Sequence, residues 1–255
     1  MKLETKDLLT GDEISSKEFL ELIDFSIKLK EENKTVKGKQ LLENKTLAML
    51  FEKPSTRTRV SFETGMKQLG GHTIILSLNE MQHSRGESVE DTAKTLSGYV
   101  DGIVARVYEH SFIEDLAKHA TVPVINGLSN SYHPCQTLAD FMTIKEYKKK
   151  FKDLKIAWIG DGNNVCNSLI FGCSKTQTDI VIATPKGFEP NPEVVKKASE
   201  NTTIDLTTDP ESAVKDADIV MTDTFTSIHT SDPKRTEIFL PSFQVNEYLM
   251  EKAKN

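Results

Sequence analysis

Residues 51–63 read Phe-Glu-Lys-Pro-Ser-Thr-Arg-Thr-Arg-Val-Ser-Phe-Glu and form the densest polar cluster in the chain. Pro54 ends an extended run, and Ser55, Thr56 and Thr58 can cap or open a helix whose apolar face carries Phe62, Met66 and Leu69. A helix start offers backbone N–H groups without intrahelical partners and the positive end of the dipole, and Arg57 adds a planar fork matched to phosphate oxygens. The cluster is therefore read as an anion site. No Gly-x-x-x-x-Gly-Lys-Ser/Thr run occurs anywhere, which excludes a Walker-type phosphate loop.

Other residues suited to chemistry stand at the ends of apolar runs. Arg106 closes Gly102-Ile-Val-Ala, His133 precedes Pro134, and Asp223 closes a run that starts at Asp218. Gly160-Asp-Gly-Asn-Asn-Val165 follows a strand pattern and opens a helix pattern. As a dinucleotide fingerprint it is incomplete: Val165 stands where a third glycine belongs, and no acidic ribose ligand ends the next strand. The loop 79–87 is an exposed turn before a helix that Ser88 and Asp91 cap. Cys135, Cys166 and Cys173 contain no Cys-x-x-Cys pair, so reduced thiols are expected rather than a disulfide framework or a metal cluster. Cys166 and Cys173, seven residues apart, are expected to pack on one buried helix face.

The elements that must position these residues alternate regularly. Ser15 with Glu18 is a capping box before a first amphipathic helix. Apolar strand-like runs follow at 46–51, 73–78, 102–106 and 122–126, and again at 155–160, 179–184, 203–206 and 218–223, with helical patterns between them. The predicted fold is α/β: two doubly wound parallel-sheet domains joined by a bridging helix. The expected divisions are 1–133, a bridging helix over 134–152, and 153–255. The basic run 147–152 reads as a solvated helix end, where cations oppose the carbonyl dipole.

Taken together, Ser55-Thr-Arg-Thr-Arg59, Arg106 at a strand end and His133-Pro-Cys-Gln136, in that order, resemble the aspartate/ornithine carbamoyltransferase family. The resemblance implies that Ser55, Thr56, Arg57 and Thr58 hold the phosphate of carbamoyl phosphate. It implies further that Arg106, His133 and Thr58 polarise the carbamoyl oxygen and that Gln136 fixes the carbamoyl NH2. Arg57, Arg106 and His133 are then the catalytic set. Gln82 matches the residue that reaches a neighbouring subunit's site, so a homotrimer or a multiple of trimers is implied.

The second half resembles the ornithine-specific branch. Asn164 matches the ligand of the amino-acid end of L-ornithine, Asp223 the partner of its α-amino group, and Ser227 and Ile228 lie in the substrate loop that follows. Ile228-His229 stands where family members carry Met-Gly, and the family's later His-Cys-Leu-Pro motif is not found before Asn255. The implied reaction is carbamoyl transfer from carbamoyl phosphate to the δ-amine of L-ornithine, giving L-citrulline and phosphate, with no cofactor and no metal. Other acceptors remain open at this point, among them aspartate, a modified ornithine or a polyamine. The Asn163-Asn164 pair and Arg85, where aspartate enzymes supply a lysine, weigh against aspartate. A truncated, non-catalytic member that binds carbamoyl phosphate also remains open.

Composition closes several classes. Across 255 residues, 37% hydrophobic and 27% charged content is ordinary for a globular chain, and no apolar run is long enough to span a bilayer. The start Met-Lys-Leu-Glu-Thr-Lys-Asp is charged where a signal peptide is apolar. Thirty-two Lys and Arg against 38 Asp and Glu leave a net charge of −6, the wrong sign for a nucleic-acid partner. A cytoplasmic protein without a membrane or nucleic-acid partner is expected.

Overall fold

The computed structural model describes residues 3–35, 40–82, 86–225 and 234–254. The chain divides into two compact units, Met1–Ile14 with Glu21–Cys135, and Ser15–Leu20 with Gln136–Asn255.

Helix α1 (Ser16–Thr35) begins at the expected capping box: Glu18 N–H donates to Ser15 Oγ at 3.2 Å, and Ser15 N–H to Glu18 Oε2 at 2.8 Å. In the first unit, β1 (Thr46–Phe51), β2 (His72–Ser77), β3 (Gly102–Arg106) and β4 (Val124–Leu128) form a parallel sheet in the order β2-β1-β3-β4. Helices α2 (Thr56–Gln68), α3 (Val89–Ser97) and α4 (His110–His119) make the crossovers. Strand β1 is buried on both faces, as a doubly wound sheet requires. Leu47, Met49 and Phe51 pack with Met66 of α2, while Ala48 and Leu50 join Ile113 and Leu116 of α4. From β1 the chain runs out to β2 and returns on the other side to β3, so the topological switch lies between β1 and β3.

In the second unit, β5 (Lys155–Ile159), β6 (Asp179–Ala183), β7 (Ile204–Thr207) and β8 (Ile219–Met221) form a parallel sheet ordered β7-β6-β5-β8, with the switch between β5 and β8. Helices α5 (Pro134–Lys148), α6 (Asn164–Thr176), α7 (Pro192–Ala198), α8 (Pro210–Val214), α9 (Lys234–Phe239) and α10 (Glu247–Met250) complete the chain order. Ala157, Ile159, Ala183, Val214 and Phe239 share one core cluster. Helix α6 is almost wholly buried, including Cys166 and Cys173. Gly172 permits its close approach to α5, because a Cβ there would lie 2.4 Å from the Phe141 ring.

The expected architecture is therefore present, with shifted edges. Strand β4 starts at Val124 rather than Val122, since Pro123 has no N–H and contributes only its carbonyl, which accepts from Ile103 N–H at 2.9 Å. Strand β8 is shorter than the run 218–223, which leaves Asp223 in the loop beyond it. Both α1 and α5 contribute residues to both units. In the N-terminal segment, Leu8 N–H donates to Val124 O at 3.0 Å and extends the sheet edge beyond β4.

Candidate active site

In an open parallel sheet, ligands bind outside the carboxyl ends of the strands at the switch point. In the first unit that place is flanked by the chain leaving β1 and the end of β3. Phe51 and Arg106 are register partners there, and Glu52 N–H donates to Arg106 O at 3.0 Å. Ser55 is the extended N-cap residue of α2, but its side chain caps no N–H, and the first turn contains no acidic residue. The positive helix end thus keeps its donors and carries no carboxylate to neutralise it.

Arg106 Nη1 donates to Thr58 Oγ1 at 2.8 Å, tying the end of β3 to the first turn of α2. Burial, and then repulsion from the Arg57 guanidinium, hold Arg106 below the usual arginine range. Two guanidinium groups beside a bare helix start are the kind of groups that can receive an anion. Arg59 is turned to another purpose, pairing with Glu63 at 3.3 Å. His133 lies between β4 and α5; burial, and then the charge of Arg106, lower its pKa to about 4. Its imidazole is neutral at pH 7, so it can polarise an oxygen by a hydrogen bond but not as a cation. Gln82 is exposed in the loop after β2. Arg85 lies outside the described residues.

In the second unit the switch point is flanked by the turn after β5 and the chain after β8. Gly160 adopts φ +133°, and a Cβ on Gly162 would lie 2.2 Å from Pro190 N, so both glycines are required by the turn. Asn163 caps α6, its Oδ1 accepting from Val165 N–H at 3.0 Å and Cys166 N–H at 3.1 Å. Its Nδ2 donates to Asp223 Oδ2 at 2.9 Å. Asn164, the expected ligand, is the first residue of α6 and half-buried. Asp161 forms a partly buried ion pair with Arg235, whose Nε donates to Phe225 O at 2.8 Å and whose guanidinium lies over the rings of Phe188 and Phe239. Gln136, in the first turn of α5, donates from Nε2 to Asp140 Oδ1 at 2.9 Å. Ser227 and Ile228 lie outside the described residues.

Residues 6–146 match the family profile described as the aspartate/ornithine carbamoyltransferase carbamoyl-P binding domain, and residues 152–255 match the Asp/Orn binding domain of the same family. The chain belongs to the aspartate/ornithine carbamoyltransferase family. Among its relatives, an ornithine carbamoyltransferase of Cenarchaeum symbiosum is 56% identical over 253 residues, 99% of this chain and 83% of the relative. The structure of an ornithine carbamoyltransferase from Pyrococcus furiosus superposes with a TM-score of 0.94 at 47% identity, covering 100% of this chain and 83% of that one. An ornithine carbamoyltransferase from Thermus thermophilus gives 0.89 at 41% identity, covering 98% and 82%.

Sequence reasoning singled out Arg57, Thr58, Arg106 and Asp223 but not the partners Asn163, Asp161 and Arg235 that the fold places at the second switch point. Asn163 was recoverable from the preference of asparagine for helix N-caps. Asp161 and Arg235 had no local signal. Their side chains meet across 74 positions of sequence. Burial drives the Cys135 thiol up to about 12 and raises Cys166 and Cys173 as well, so none of the three is a thiolate. Among the described residues no group of three or more His, Cys, Asp or Glu could hold a metal ion.

Proposed function

We propose that this protein transfers the carbamoyl group of carbamoyl phosphate to the δ-amine of L-ornithine, releasing L-citrulline and phosphate. The observation that carries the reading is the Arg106–Thr58 hydrogen bond beside the carboxylate-free start of α2. In this reading Ser55, Thr56, Arg57 and Thr58 bind the phosphate. Arg106, His133 and Thr58 bind the carbamoyl oxygen, and Gln136 and Gln82 complete the donor ligands. Asn164, Asp223, Ser227 and Ile228 bind ornithine. The donor domain is 1–133, the bridging helix 134–152 and the acceptor domain 153–255.

The neutral δ-amine forms a bond to the carbonyl carbon while the carbonyl electron pair moves onto oxygen. Arg106 and neutral His133 stabilise that oxyanion. Collapse of the tetrahedral intermediate breaks the carbon–oxygen bond to phosphate, which leaves into the Arg57 site with its electron pair, and the amine proton passes to solvent or to the departing phosphate. Catalysis is positioning and electrostatic stabilisation.

The same reading assigns the protein to arginine metabolism in the cytoplasm, as a homotrimer or a multiple of trimers in which the exposed Gln82 loop serves a neighbouring copy. No described helix is long and apolar enough to cross a membrane. Citrulline formation with L-ornithine, run in parallel with L-aspartate, tests the reaction, and sedimentation tests the assembly. Turnover with aspartate alone, or none with ornithine, would remove the assignment.

A further inference from the structure

The turn that presents His133 is braced by a second histidine that the reaction does not use. His110 opens α4 and is buried, with Nδ1 2.9 Å from Ser129 Oγ. That oxygen is the centre of the turn. It accepts from Tyr132 N–H at 3.2 Å, from Ser131 N–H at 3.4 Å and from the Asn126 carboxamide at 3.4 Å. Nδ1 is the nearest polar partner of that oxygen, at 2.9 Å against 3.4 Å for Tyr132 O, and the contact holds whether the hydroxyl or the ring N–H donates. Tyr132 also packs edge-on against that ring, with centroids 4.8 Å apart. The backbone closes the same turn: Ser129 N–H donates to Tyr132 O at 2.9 Å, and His110 N–H to Asn130 Oδ1 at 3.1 Å. His133 follows Tyr132 directly, and Pro134 starts α5, so the braced turn leaves His133 little slack.

We propose that His110 is a positioning residue for carbamoyl transfer: as a neutral imidazole it anchors the Ser129 hydroxyl and, through the 129–132 turn, fixes where His133 presents its ring to the carbamoyl oxygen. The inference rests on the donor-site reading above. The charged groups acting on His110 are Glu114 on its own helix, Oε1 at 3.9 Å from Nε2, and Glu13 from the N-terminal segment. Both favour protonation, but burial outweighs them and keeps the ring below the ordinary histidine range. Protonation of the ring fixes Nδ1 as the donor in the bond to Ser129.

The test compares wild type, His110→Leu, His110→Asn, Ser129→Ala and the His110→Leu/Ser129→Ala double variant. It measures kcat, the dissociation constant for carbamoyl phosphate, and the titration of the His133 imidazole by NMR. His110→Leu should lower kcat about tenfold or more, the scale expected when a catalytic group is misplaced. It should also move the His133 pKa up from about 4 toward the ordinary range. His110→Asn, whose Oδ1 falls near the place of Nδ1, should restore both. Adding Ser129→Ala to His110→Leu should cost less than the sum of the two single losses, because both remove the His110–Ser129 contact while Ser129→Ala also removes the other bonds to that hydroxyl. An unchanged kcat and His133 titration in His110→Leu, or additive losses in the double variant, would overturn the proposal. Should His110→Leu fail to fold, a normal kcat and titration in Ser129→Ala overturns it equally. Wild type that binds no carbamoyl phosphate overturns the donor-site reading itself, whereas wild-type binding with an indifferent His110 overturns only this inference.

Discussion

Asn163 Nδ2 donates to Asp223 Oδ2 across 2.9 Å, so the cap of α6 is bonded to the chain leaving β8, 60 residues further on. One carboxamide performs two tasks. Its oxygen holds the first N–H groups of the helix, and its nitrogen orients the carboxylate proposed to receive the α-ammonium of ornithine.

Replacing Asn163 by Ala should raise KM for ornithine about 10- to 100-fold, the scale of one charge-assisted hydrogen bond, and leave KM for carbamoyl phosphate within about twofold. Loss of the cap should also lower stability by about 1 kcal/mol. Asn163→Asp separates the two tasks, since it keeps the cap acceptors and sets a second carboxylate against Asp223. Equal KM values for ornithine in wild type and Asn163→Asp would show that the contact does not serve the acceptor.

The first unit should behave conversely. Arg57→Ala is expected to weaken carbamoyl phosphate binding about 10- to 100-fold with an unchanged melting temperature, because the side chain is exposed and makes its contribution to an anion. Thr58→Val, which removes the acceptor of the Arg106 bond, should lower kcat more than it weakens binding. Calorimetric titration with carbamoyl phosphate and steady-state kinetics separate the two effects.

Acid stability should divide between two groups of opposite sign. His133 is lowered to about 4, by burial first, so between that value and its unfolded value near 6.5 the unfolded chain binds more protons. Its contribution is complete above about pH 6.5 and declines as the pH falls toward 4, by about 3 kcal/mol at most. Asp140 is raised to about 6, by burial first and against the bond from Gln136. Its contribution is present below about pH 4 and lost as the pH rises through 6. Asp140→Asn should therefore raise the denaturant midpoint at pH 7.5 and not at pH 4, and His133→Gln should flatten the acid limb. Parallel pH profiles of all three proteins would contradict both assignments.

Removing Arg235 should be among the more damaging single changes in the second unit. Arg235→Leu leaves the partly buried Asp161 carboxylate without its partner, at a cost of about 1–3 kcal/mol. The added change Asp161→Asn should recover part of that loss, since it removes the uncompensated charge. Chemical denaturation of the single and double variants measures the coupling, and additive losses would count against a coupled pair.

Much of this was legible before the fold. Both sheets, the capping box at Ser15 and the start of α2 after Ser55 follow from apolar spacing and residue type within windows of a few turns, and the motif order Ser55–Arg59, Arg106, His133–Gln136 carried the family resemblance. The reading was weakest where a residue's role depends on a distant partner. Arg57 was singled out over Arg59 by its place in the motif, and the pairing of Arg59 with Glu63 and the effect of Arg57 on Arg106 are visible only in the fold. The expectations for Ser227, Ile228 and Arg85 fall on residues outside those described.

Sequence by itself determined the α/β alternation, the placement of polar residues at strand ends and the kind of chemistry those residues can do. These properties are local, since strand and helix periodicity and capping are set by neighbours in the chain. Tertiary structure decided which residues act together. Arg106 with Thr58, Asn163 with Asp223 and Asp161 with Arg235 are 48, 60 and 74 positions apart. No short window contains both members of such a pair. A parallel sheet brings the ends of its strands side by side, and the switch in strand order leaves an opening between the central pair, so polar groups remote in the chain meet at the mouths of the two sheets.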